Sequence, residues 1–167
     1  MTLEELNSMP SSDAADALAL CCGSARWAAA MSARRPFDGR AALLAAADEE
    51  WARCGQKDIL EAFSHHPRIG GKDALREKFA ATRGWAQGEQ AKTAAASEKT
   101  LDALARGNED YERRFGYIFI VCASGKSAEE MLALLDKRLP HEPAAELRVA
   151  AAEQAKITRL RLEKLLA

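Results

Sequence analysis

Tyr117-Ile118-Phe119-Ile120-Val121-Cys122-Ala123 is a run of seven apolar residues, rich in β-branched and aromatic types and bounded by Gly116 and Ser124-Gly125. Taken alone it reads as a buried strand. A strand needs a partner, however, and no second run of this kind occurs in the chain. The segment is therefore expected to be extended but unpaired, threaded through a helical core. Its backbone N–H and C=O groups must then find side chains, water or a ligand. That reading sets the fold class: an all-α, single-domain bundle of at least seven helices over residues 1–167, with one extended apolar segment.

On either side of this run the punctuation is helical. Upstream, an alanine-rich helix is predicted from Gly88 to Arg106, and Asn108 caps a shorter one that reaches Phe115. Downstream, Ser127-Ala128-Glu129-Glu130 is a capping box whose helix carries Met131, Leu132, Leu135 and Leu139 to Pro140. Pro143 opens the last helix. At 3.6 residues per turn, Leu147, Ala150, Ala151, Gln154, Ile157, Thr158, Arg161, Leu162 and Leu165 share one face there, while Arg148, Lys156, Arg159 and Glu163 share the other. Nearer the start, Thr2-Leu3-Glu4-Glu5 is a second capping box. Ser11 or Ser12 is expected to cap a helix through Cys21, Ser24 one through Trp27 and Met31, and Asp38 one through Trp51 to Gly55. Trp27 and Trp51 read as core or interface anchors.

Composition narrows the function classes. With 167 residues, 48% of them hydrophobic, the chain is long enough to bury a sizeable core. A formal charge of −1 gives no electrostatic footprint for nucleic acid or an anionic membrane. No apolar run reaches the length of a membrane span, and Met1-Thr2-Leu3-Glu4-Glu5 lacks the basic start of a signal peptide, so a cytoplasmic protein is expected. Cys21, Cys22, Cys54 and Cys122 have no C-x-x-C spacing and read as reduced core thiols.

The chemistry is densest in Ser64-His65-His66-Pro67-Arg68-Ile69-Gly70-Gly71, which holds two of the three histidines. Asp58 to Phe63 reads as a short amphipathic helix, and Pro67 disfavours helical geometry at the residue before it. His66 is thus expected at a helix end, partly exposed, where an imidazole suits proton transfer near neutral pH. Arg68 offers an anion contact just past the proline. On spacing alone, a helix stop followed by a turn accounts for the same residues. Arg161 lies on a core-facing stripe and must find an anion. Spacing leaves open whether that anion is a neighbouring carboxylate or a substrate.

Four motifs in order, His66-Pro67-Arg68-Ile69-Gly70, Gly88-Glu89-Gln90, Phe115 through Ala123, and Lys156 through Leu162, together with Trp27 and Arg35-Pro36-Phe37, make the whole chain resemble the OHCU decarboxylase family. Members act on 2-oxo-4-hydroxy-4-carboxy-5-ureidoimidazoline (OHCU) in urate breakdown. The resemblance implies an all-helical fold, no metal or organic cofactor, a homodimer, and conversion of OHCU to (S)-allantoin and carbon dioxide. It implies catalytic roles for His66 and Glu89. It implies substrate contacts from Pro67, Ala86, Gln87, Gly88, Gln90, the backbone of Ile118, Phe119, Ile120, Val121 and Cys122, and Arg161. Ala86 departs from the pattern, since the family usually has serine there.

Two other classes stand beside this one. A metal-dependent hydrolase would use His65, His66 and a carboxylate, but neither H-x-H nor H-x-x-x-H spacing occurs. A non-catalytic helical interaction module would scatter His66, Glu89 and Arg161 over the surface instead of gathering them.

Overall fold

The computed structural model describes residues 1–68, 70–80 and 90–167, with only the helical backbone given for 80 and 90–97. Among the described residues there are nine helices and no strand: α1 (Leu3–Ser8), α2 (Ser11–Ala19), α3 (Ala25–Ala33), α4 (Arg40–Ala52), α5 (Gln56–Ser64), α6 (Lys72–Ala80), α7 (Gln90–Phe115), α8 (Ala128–Arg138) and α9 (Pro143–Leu165). The all-α expectation holds. Tyr117 to Ala123 belongs to no helix and joins no ladder, with Tyr117 in a bend, Ile120 and Cys122 buried and its other residues half-buried.

The chain divides into two compact units: Met1–His66, Ile120–Cys122 and Arg148–Ala167 form one, and Pro67–Phe119 and Ala123–Leu147 the other. The first is built around Trp27 and Trp51. Trp27 is fully buried on α3, and its indole N–H donates to the Ala47 carbonyl of α4 at 3.1 Å. Trp51 on α4 donates in the same way to Ala151 of α9 at 2.9 Å. Leu6, Leu18, Met31, Leu43 and Leu162 fill the space between these anchors. Arg35-Pro36-Phe37 is a clamp on α1: Arg35 donates to the Leu6 and Met9 carbonyls, and the Asn7 amide pairs with both backbone groups of Phe37 at 2.9 Å.

In the second unit Glu146 is fully buried. It accepts from Tyr111 at 2.5 Å, from Arg138 Nε at 2.7 Å, and pairs with His141 at 2.9 Å. The Arg138 guanidinium also lies 4.5 Å above the Phe119 ring. Burying these charges is tolerable because each meets an opposite charge or a donor.

Both capping boxes form as read, at Thr2 with Glu5 and at Ser127 with Glu130. Three boundaries differ. Asp38 makes no cap, since α4 starts one residue later with Gly39 in the cap position. Neither Ser11 nor Ser12 caps α2, because Pro10 holds that place and Ser11 is already helical. Most instructive is α7, which runs unbroken through Gly107 where two helices were expected. A Cβ on Gly107 would fall 2.4 Å from Leu135 of α8, so this glycine serves close helix packing and not termination.

Candidate active site

His66 follows the C-terminus of α5, its backbone N–H bonding to the Phe63 carbonyl at 3.2 Å. Gly23 makes room for this corner: a Cβ there would lie 2.3 Å from the His65 ring, which packs against its backbone. His65 is exposed, and His66 is half-buried. The pair thus face different surroundings, as Pro67 led one to expect.

The side chain of His66 reaches α9. Its Nε2 lies 2.5 Å from Oε1 of Gln154, a fully buried carboxamide. Gln154 Nε2 in turn donates to Thr158 Oγ1 at 3.1 Å, one helical turn on. Burial holds the His66 pKa below the ordinary 6.5; the Gln154 hydrogen bond opposes this, and the Arg161 and His65 charges add to it. The imidazole is consequently neutral at pH 7.

One turn beyond Thr158, Arg161 is half-buried on the same side of α9, as the helical phase predicts. Its guanidinium touches the Cys21 carbonyl at 3.4 Å, and no carboxylate among the described residues pairs with it. Arg159 is already spoken for by Asp48 at 2.5 Å, in an exposed ion pair. Beside Arg161, burial pushes the thiols of Cys21 and Cys22 up to about 11, so both stay protonated. None of the four cysteines is in a disulfide.

The apolar run meets α9 as well. The Cys122 N–H donates to Glu153 at 2.8 Å, so a side chain satisfies this backbone group. Ile120, Val121 and Cys122 belong to the first unit with His66 and Arg161, whereas Pro67, Ile118 and Phe119 belong to the second, where Phe119 stacks edge-on against Tyr111. Arg68 also lies in the second unit, and the anion it meets is the Glu112 carboxylate. Ala86, Gln87, Gly88 and Glu89 fall outside the described residues, as does the Gln90 side chain. No group of three or more His, Cys, Asp or Glu set to hold a metal ion occurs among the described residues.

Within the first unit, one face of α9 therefore carries the partner of His66 and the cation Arg161, with Glu153 of the same helix holding the apolar segment. Gln154 was missed as a candidate. Its only signal was a carboxamide on an apolar stripe, two turns before an arginine on that same stripe.

A family model described as OHCU decarboxylase matches residues 7–163. The chain is 40% identical over 148 residues to a uric acid degradation bifunctional protein of Arabidopsis thaliana, covering 87% of this chain but only 45% of that protein. It is 34% identical over 144 residues to the 2-oxo-4-hydroxy-4-carboxy-5-ureidoimidazoline decarboxylase of Amia calva, covering 83% of this chain and 79% of the relative. A crystal structure of an OHCU decarboxylase in the presence of (S)-allantoin superposes with a TM-score of 0.71 at 37% identity, covering 90% of this chain and 97% of that one.

Proposed function

From the premise that this chain belongs to the OHCU decarboxylase family, we propose that it decarboxylates OHCU to (S)-allantoin and carbon dioxide as a cofactor-independent carboxy-lyase of urate breakdown. The family match over residues 7–163 carries the reading. Because that match spans both compact units, residues 1–167 are proposed to act as one functional domain.

The chemistry asks for positioning and one proton. The electron pair of the bond to the departing carboxylate passes into the ring imine beside it, and the resulting enol regains a proton on carbon at a single face; one proton is consumed overall. In this reading His66 is the proton-bearing group, neutral before substrate arrives and drawn toward protonation by the substrate carboxylate. Arg161, without a carboxylate partner among the described residues, grips an anionic or carbonyl edge. Glu89 holds the substrate hydroxyl. Pro67, Gln87, Gly88, Gln90 and the backbone of Ile118 to Cys122 seat the ring and ureido group, with Ala86 contributing no hydroxyl. Glu153 already takes the Cys122 N–H at that end of the run.

The finer setting, a cytoplasmic homodimer that binds neither nucleic acid nor membrane, rests on family resemblance, balanced charge and free thiols. No helix among the described residues is long and apolar enough to cross a membrane. Freshly generated OHCU, followed by circular dichroism of the product, tests the activity. Dextrorotatory allantoin should form faster than racemic allantoin forms spontaneously, and His66→Asn should slow this by about 10²–10⁴ while His65→Asn costs far less. A native chain that leaves the spontaneous rate and racemic outcome unchanged would remove the proposal.

A further inference from the structure

The arrangement on α9 contains more than a partner for His66; it has a direction. Thr158 is 4% exposed and accepts from the Gln154 amide N–H, and Gln154 is fully buried between Thr158 and His66. A threonine hydroxyl carries two lone pairs, and one of them takes the Gln154 amide N–H at 3.1 Å. That turns the amide oxygen toward His66, and an amide oxygen only accepts. The nitrogen facing it at 2.5 Å must then carry a hydrogen. The opposite tautomer would set two acceptors against each other, or else force the amide to invert and give up its donation to Thr158 Oγ1.

We propose that Gln154, oriented by Thr158, is a positioning residue that fixes neutral His66 with its hydrogen on Nε2, so that Nδ1 is the nitrogen that gains and loses the proton of the reaction. This rests on the reading of His66 as the proton-bearing group. The relay places no charge next to the imidazole; of the groups bearing on His66, Arg161 and His65 both disfavour a second proton. Gln154 thus orders the ring without making it a permanent cation.

The test uses the full chain with ¹⁵N-labelled histidine and long-range proton–nitrogen NMR, which needs no substrate. The native protein should show the Nε2–H pattern for neutral His66. Gln154→Leu should give mixed tautomers and lower kcat by about 10–100-fold with KM changed less than about threefold, by analogy with partners that orient metal-bound histidines. Thr158→Val, which leaves Gln154 in place but frees the amide to invert, should give the same mixture with a smaller loss. Gln154→Glu keeps the acceptor and adds a charge, so it should retain the Nε2–H tautomer, move the His66 pKa upward by about one unit or more, and shift the pH–rate profile with it. An Nδ1–H pattern in the native protein, or a tautomer unchanged by both Gln154→Leu and Thr158→Val, overturns the inference. Failure of the native chain to make optically active allantoin would overturn the proposed function instead, whichever way the tautomer reads.

Discussion

At the scale of single residues, the two arginines of the last helix make opposite demands. Arg159 shares an exposed ion pair with Asp48, and such pairs contribute about 0–1 kcal/mol. Arg161 sits half-buried against one backbone carbonyl. Arg161→Ala should therefore raise KM strongly for an anionic substrate while Arg159→Ala leaves turnover nearly unchanged, as measured by steady-state rates on folded variants. The reverse ranking would place the substrate on the other face of the helix. His66 offers a second test, in stability. Its folded pKa lies below the 6.5 of an unperturbed imidazole, so between those two values the unfolded chain binds more protons than the folded one. Stability from this group is complete above about 6.5 and drains as pH falls toward the folded pKa. Thermal melts from about pH 7.5 to about pH 5 should show a loss on the acid side that is smaller in His66→Asn.

At the scale of elements, the contact of α7 with α8 depends on a missing side chain. In an isolated helix Gly107→Ala would gain about 1 kcal/mol of propensity. Here the added methyl would meet the fully buried Leu135 at 2.4 Å, and overpacking of this kind costs about 1–3 kcal/mol. Chemical denaturation should find Gly107→Ala destabilising in the native background but neutral or stabilising in a Leu135→Ala background, a coupling that double-mutant analysis isolates. Additive effects would mean that the two helices do not meet at this point.

At the scale of the molecule, each unit has its own means of cohesion. The first is held by indoles whose N–H groups cross between helices, and the second by a charged knot of Arg138, Glu146 and Tyr111. Such a knot is vulnerable to loss of one member. Arg138→Met leaves Glu146 buried without its cation and should destabilise by about 3–5 kcal/mol, whereas Arg138→Met combined with Glu146→Leu should recover much of that. Urea titration of the three proteins decides the point.

Local periodicity and capping chemistry determined the helical class, the unpaired apolar run and the phase of the last helix, because these depend on near neighbours in sequence. Thr2 and Ser127 announced their helices correctly, and a 3.6-residue period put Gln154, Thr158 and Arg161 on one face before any contact was known. What sequence left undecided depended on partners far along the chain. Gly107 reads as a break until Leu135 of another helix fills its empty side. Arg68 looked available for a ligand until Glu112, 44 residues on, took its charge. Gln154 carried no legible role because a carboxamide gains one only from what meets it, and the 88 residues separating it from His66 are closed by tertiary packing alone.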